Sequence, residues 1–132
     1  MIFETKLMRI LYILVFFFSI TNSLSAQIKD ITADEAMRYL KKKKIILLDV
    51  RTEAEVKESH IPKSIHIDVL QEDYFLQQIK KLDKKSTYII YCRSGKRSVT
   101  AAERMQQEGF TSVLNMKGGI LSWKGPLVKY KP

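Results

Sequence analysis

The single cysteine of the chain, Cys92, lies between a strand-like segment and a helix-like segment. Residues 87–91 form a β-prone run, and the pattern from residue 98 to residue 108 is helical. A cysteine at such a turn faces the backbone N–H groups of the loop and the positive end of the following helix dipole. Both favour thiolate over thiol, so the sequence predicts a nucleophilic cysteine with a pKa below that of a free thiol.

Three cationic side chains follow the cysteine within five residues: Arg93, Lys96 and Arg97. Positive charge lowers a thiol pKa further, and it also attracts small anions. A lone cysteine is commonly a small buried hydrophobe, but an apolar burial site would not be followed by so basic a segment. We therefore predict that Cys92 is reactive and partly exposed, and that the loop steers small anions towards it.

Two histidines, His60 and His66, are the other side chains that invite a metal or general-base hypothesis. One cysteine and two histidines fall short of a tetrahedral zinc set, and one cysteine cannot close an internal disulfide. His60 precedes an Ile-Pro turn where an imidazole can satisfy backbone groups, and His66 alternates with two isoleucines. The sequence predicts no metal site and no cofactor.

A polar pair, Asp49 and Arg51, marks the end of the apolar run at residues 45–48. Such a run is typical of a parallel strand that is covered on both faces. Ligands of open α/β sheets gather outside the carboxyl ends of the strands, so this pair is expected near the cysteine loop. We predict that it forms a structural ion pair, followed by a short helix that the capping box of Thr52 and Glu55 opens.

Strand-like and helix-like segments alternate along the rest of the chain, which predicts an α/β domain with a parallel sheet and right-handed crossovers. A helix is expected after the capping box of Thr32 and Glu35, and Gly109 is expected to end the helix after the cysteine. The side chains predicted to face the core from the two longer helices are Leu70, Tyr74, Phe75, Leu76 and Ile79, then Val99, Ala102 and Met105.

The composition fits one globular domain of 132 residues, with 45% hydrophobic residues and a formal net charge of +9. Lysines concentrate at residues 41–44, 80–85 and 124–131, which the pattern places at helix ends and loops. No aromatic platform is interleaved with these lysines, so we predict no nucleic-acid partner.

The first 26 residues have the pattern of an export signal. Lys6 and Arg9 precede an apolar run at residues 10–18, and small and polar residues follow up to Ala26. We predict a signal peptide at residues 1–26, a mature domain at residues 27–132 and a periplasmic or secreted protein. The run is short for a bilayer span, although an uncleaved anchor, the one membrane contact expected here, stays open as an alternative.

Five short motifs occur in an order and spacing that together resemble the rhodanese domain. They are Leu48-Asp49-Val50-Arg51 with Glu55, His60-Ile61-Pro62, Tyr91-Cys92-Arg93-Ser94-Gly95-Lys96-Arg97-Ser98, Gly109-Phe110, and Gly118-Gly119-Ile120 with Trp123. The resemblance runs from about Ile28 to Pro126. It implies a three-layer fold with helices on both faces of a mostly parallel sheet. Ser59, Lys63-Ser64 and His66 depart from the common family pattern around the His-Ile-Pro turn.

Similarity to this family implies a thiosulfate-type sulfurtransferase. Cys92 would be the nucleophile that carries a sulfane sulfur as a persulfide, from a small anionic donor to cyanide or a thiol. The residues that the resemblance assigns to substrate binding are Arg93, Ser94, Gly95, Lys96 and Arg97. Their backbone N–H groups would cradle the sulfur. Asp49 and Arg51 would be supporting residues.

Two other functions stay open. A phosphatase or arsenate reductase of related fold would have an arginine six positions after the cysteine, where this chain has Ser98; Arg97 stands one position earlier. The shorter loop favours one persulfide sulfur over a tetrahedral phosphoryl group. A non-turnover persulfide carrier or interaction module would keep the cysteine and lack fast thiosulfate kinetics.

Overall fold

The computed structural model describes residues 1–18, 27–42 and 44–130, and it contains a five-stranded parallel sheet. The strands are β1 (Lys29–Ile31), β2 (Ile45–Asp49), β3 (Ile65–His66), β4 (Thr87–Tyr91) and β5 (Ser112–Met116). The helices are α1 (Ile2–Phe18), α2 (Ala33–Lys42), α3 (Glu53–Glu58), α4 (Glu72–Ile79), α5 (Lys96–Gln107) and a closing 3-10 helix (Gly119–Ser122).

The strand order β1-β5-β4-β2-β3 places β4, the strand before Cys92, in the middle of the sheet. Its side chains alternate between two core clusters, with Tyr88 and Ile90 in one and Ile89 and Tyr91 in the other. Both faces of the strand are therefore buried, which agrees with its predicted position as the central strand.

Helices cover the two faces of the sheet. The first cluster contains the inner side chains of α4 and α5, such as Phe75 and Met105, and the second contains Ala33 and Ala36 of α2. Parallel strands require crossover connections, and these crossovers bury the sheet between the helices. The predicted α/β three-layer fold is confirmed.

Two capping boxes and one helix end are confirmed. Thr32 and Glu35 exchange side-chain and backbone hydrogen bonds at the start of α2, and Thr52 and Glu55 do so at the start of α3. Gly109 has φ +94° after α5. Its N–H and the next one donate to the carbonyls of Gln106 and Met105, which is the Schellman arrangement.

Some predicted inner faces are wrong. Leu70 and Tyr74 are exposed, because α4 begins only at Glu72 and directs Phe75 and Ile79 into the core. On α5, Ala101, which was not predicted, is buried, while Val99 is only partly buried.

The amino-terminal segment contains helix α1, and residues 19–26 lie outside the described residues. Among the parts of the chain that the structure describes, no helix has both the length and the apolar character needed to cross a membrane. The predicted signal peptide at residues 1–26 and the boundary at residue 27 stay predictions.

Candidate active site

Cys92 lies directly after the central strand β4, at the carboxyl edge of the sheet. The residue is only 1% exposed and belongs to the apolar cluster under α5, so the prediction of a partly exposed thiol is wrong. The reason is topological, because the end of a central strand is covered by the loop and helix that follow it. The Sγ atom nevertheless accepts a hydrogen bond from the Gly95 N–H at 3.1 Å and lies 3.4 Å from Ser98 Oγ.

The electrostatic environment of Cys92 lowers its pKa below the ordinary value of 9.0. Burial is the largest single influence and raises the pKa, but hydrogen bonds to the thiolate together outweigh it. The donors are the Ser98 hydroxyl and the backbone N–H groups of Ser98, Gly95 and Ser94. The predicted lowering of the pKa is therefore found, and donors of the loop and first helical turn supply it.

The 3-10 helix, which begins at Gly119, supports the backbone of the cysteine loop. The N–H groups of Ile120 and Leu121 donate to the carbonyls of Cys92 and Arg93, at 2.9 and 3.2 Å. Gly119 has φ +57°, and a Cβ there would overlap the same two carbonyls. The loop carbonyls are thus bound on the 3-10 helix side, while loop N–H groups point towards the sulfur.

Gly95 allows the loop to become a helix two residues earlier than the sequence predicted. It precedes α5 with φ +101°, a left-handed conformation that side chains rarely adopt. Helix α5 therefore begins at Lys96, and Ser98 falls in its first turn with its hydroxyl facing the thiol. Sequence reasoning missed this role of Ser98, although its position six residues after the cysteine was visible.

Asp49 and Arg51 form the predicted structural ion pair. Their side chains are nearly fully buried and meet at 2.7 Å, and the same Arg51 nitrogen donates to the Ser59 carbonyl at 2.7 Å. The guanidinium also lies 5.6 Å from the ring centre of Tyr91. The pair connects the end of β2 to the turn after α3.

The two histidines contact backbone carbonyls. A ring nitrogen of His60 lies 3.0 Å from the Val56 carbonyl, and one of His66 lies 2.7 Å from the Arg51 carbonyl. In the described ranges, no group of three or more histidine, cysteine or acidic side chains is arranged to hold a metal ion.

The cations of the loop differ in their surroundings. Arg93 and Lys96 are exposed, as is Ser94, whereas Arg97 forms a bidentate ion pair with Glu55 of α3 at 2.7 and 2.8 Å. Sequence reasoning assigned Glu55 only to a helix cap, because nothing local indicates a partner 42 residues away.

Comparison with known proteins supports the fold and motif together. The model of the rhodanese-like domain matches residues 32–126. A sulfurtransferase of Allochromatium vinosum is 40% identical over 81 residues, covering 60% of this chain and 71% of the relative. The thiosulfate sulfurtransferase GlpE of Coxiella burnetii is 30% identical over 96 residues, covering 73% and 87%.

A solved structure shares the same architecture. The crystal structure of a rhodanese-like domain protein from Staphylococcus aureus has a TM-score of 0.70 and 28% identity, and the match covers 79% of this chain and all of that one, 100%. The chain thus belongs to the rhodanese-like domain family, together with relatives that are named sulfurtransferases.

Proposed function

We propose that this domain is a thiosulfate-type sulfurtransferase in which Cys92 carries the transferred sulfur. The observation that supports this most is a buried thiol surrounded by N–H and O–H donors that lower its pKa. A thiolate is the reactive form of cysteine, and here no separate base is needed to produce it. The relative of Coxiella burnetii named a thiosulfate sulfurtransferase agrees with this choice of donor.

In the first step, the Cys92 thiolate attacks the outer sulfur of thiosulfate. A bond forms between Sγ and that sulfur, and the sulfur–sulfur bond of thiosulfate breaks. Its electron pair leaves with sulfite, and Cys92 becomes a persulfide anion. The exposed cations Arg93 and Lys96 attract the anionic donor, and the loop N–H groups, such as that of Gly95, bind the negative sulfur.

In the second step, a thiophilic acceptor takes the outer sulfur. Cyanide attacks it, the persulfide bond breaks with its electron pair returning to Cys92, and thiocyanate leaves. A thiolate acceptor reacts in the same way and leaves as a new persulfide. Both routes restore the thiolate of Cys92.

Intact-mass measurement after incubation with thiosulfate tests the proposal. The expected product is the chain with one added sulfur atom on Cys92, which cyanide or dithiothreitol removes. The Cys92→Ser variant should gain no sulfur while retaining its circular dichroism spectrum. A folded wild-type protein with a free thiol and no adduct would refute the enzymatic function and leave an interaction module. Adduct formation with no turnover to cyanide or thiols would identify a carrier instead.

We also propose that residues 1–26 direct export, so that the mature domain acts in the periplasm or outside the cell. The charged residues Lys6 and Arg9 before the apolar run at residues 10–18 support this role. Cell fractionation with amino-terminal sequencing tests it. A mature protein that begins near Gln27 outside the cytoplasm is expected, and a cytoplasmic chain that retains Met1 would refute the proposal.

A further inference from the structure

One of the three cations of the cysteine loop, Arg97, forms an ion pair with Glu55. Each terminal nitrogen of Arg97 donates to a different carboxylate oxygen, at 2.8 and 2.7 Å, which is the strong two-pronged geometry of a guanidinium and a carboxylate. Both side chains are about three-quarters buried, with 25% and 26% of their surfaces exposed. Within the described parts of the chain, the other two loop cations, Arg93 and Lys96, form no side-chain hydrogen bond or ion pair.

Glu55 also accepts hydrogen bonds from the cap of its own helix, α3. Its Oε2 atom accepts hydrogen bonds from the Thr52 N–H at 3.0 Å and from the Thr52 hydroxyl at 2.8 Å. The hydrogen bonds from Arg97, opposed by burial and supported by those from Thr52, lower the pKa of Glu55 to about 2. The carboxylate is therefore charged in any ordinary assay, and its helix cap prevents it from following Arg97 into the loop.

Three anionic groups from different elements act electrostatically on the Arg97 guanidinium. Glu55 comes from α3, Asp68 follows β3, and the Cys92 thiolate follows β4. The hydrogen bonds from Glu55 are the main cause that raises the pKa of Arg97, burial opposes them, and the charges of all three groups add to the increase. Arg97 thus lies within electrostatic reach of the reactive sulfur, but its hydrogen bonds are directed towards α3.

We propose that Glu55 is a specificity-determining residue, which disfavours binding of sulfate, phosphate and arsenate in the loop by holding Arg97 against α3. A free guanidinium beside Cys92 would bind two oxygens of sulfate, phosphate or arsenate at once. The paired guanidinium cannot offer that two-pronged contact, because both of its terminal nitrogens already donate to Glu55. The loop therefore selects a donor for its sulfane sulfur and not for its oxyanion end. This inference rests on the proposed function, because it assigns the class of anion that the same loop takes.

The Glu55→Gln variant tests the inference with little change in shape. Glutamine can serve in the same capping box, so α3 should persist, but the charge that holds Arg97 is lost. Inorganic phosphate and sulfate are the probes, and protection of Cys92 from alkylation by the neutral reagent iodoacetamide is the measurement. The half-protecting anion concentration should fall on the order of tenfold, the effect of one charge-assisted hydrogen bond. The pH midpoint of alkylation should also fall, because the charge of Arg97 is no longer offset.

Two further variants separate specificity from a general structural effect. Glu53→Gln removes a neighbouring charge on α3, whose exposed ion pair with Lys57 at 2.9 Å does not reach the loop, and it should change neither measurement. The double variant Glu55→Gln with Arg97→Ala should return anion protection to within about twofold of the wild type. The guanidinium that would bind the anion is then absent, so the effects of the two substitutions are not additive. Protection within twofold of the wild type in a folded Glu55→Gln protein, or a tenfold gain that persists in the double variant, would overturn the inference.

The alkylation assay needs no turnover, so its result is independent of the sulfurtransferase assay. A wild-type protein that forms the persulfide while Glu55→Gln leaves anion protection unchanged would refute this inference alone. A wild-type protein that never forms the persulfide would refute the proposed function instead.

Discussion

Replacing Ser98 by alanine removes the side-chain hydroxyl that stabilises the Cys92 thiolate. Ser98 is fully buried, and its Oγ atom lies 3.4 Å from Sγ. A hydrogen bond to a charged group contributes about 1.5–3 kcal/mol. The lower end applies because the distance is long and because a neutral thiol can also hydrogen-bond to the hydroxyl. About 1.4 kcal/mol corresponds to a tenfold change, so the equilibrium constant for ionisation of Cys92 should fall roughly tenfold.

The rate of iodoacetamide alkylation as a function of pH measures this effect directly. Ser98→Ala should move the alkylation midpoint to higher pH and slow persulfide formation by a similar factor at pH values below the wild-type midpoint. Alanine is a good helix former, so the melting temperature should change little. Thr100→Ala removes an exposed hydroxyl from the same helix and should leave the midpoint unchanged. An unchanged midpoint in folded Ser98→Ala would refute the claim that this hydroxyl lowers the pKa of Cys92.

Three further predictions follow from the loop support, the buried ion pair and the depressed carboxyl. Gly119→Ala should lower the melting temperature and slow persulfide formation more than about tenfold, because its Cβ overlaps the loop backbone. Gly109→Ala is the control: with φ +94° and only a lysine side chain nearby, it should lower the melting temperature without slowing persulfide formation. Asp49→Asn should cost about 3–5 kcal/mol in urea unfolding, since it leaves the charge of Arg51 buried without its partner. The difference in unfolding free energy between wild type and Glu55→Gln should be fully present above the ordinary Glu pKa of 4.5 and should disappear as the pH falls towards 2. Urea unfolding of both proteins at a series of acidic pH values measures this difference.

The sequence was sufficient for the elements that depend on local pattern. The apolar runs of β2 and β4, the capping residues Thr32 and Thr52, and the αL position of Gly109 each depend on neighbours along the chain. The exposure of Leu70 could not be predicted in this way. A helical pattern continues through residues 68–72, but the Asp68 carboxylate accepts the Leu70 N–H at 2.9 Å and turns the chain before α4 begins.

The candidate site was predictable where one segment forms it and not where distant segments meet. The reactive loop could be predicted because a strand, Cys92 and a glycine follow one another along the chain. The partnership of Arg97 with Glu55 depends on β2 and β4 being neighbours in the sheet, which brings α3 beside the start of α5. No helix or strand periodicity encodes that contact, so sequence reasoning assigned the arginine to the substrate.

Burial and reactivity are compatible at Cys92 because fixed donors take the place of water. A cysteine with 1% exposure has lost its hydration, which alone would raise its pKa, yet donors of the loop and the first turn of α5 reverse the direction. These donors are already oriented by α5 and the 3-10 helix, so ionisation requires little reorganisation. The same burial restricts which acceptors can reach Sγ. In the proposed reaction this restriction is relieved, since the persulfide places the reactive sulfur about 2 Å beyond Sγ, one sulfur–sulfur bond further from the covered strand end.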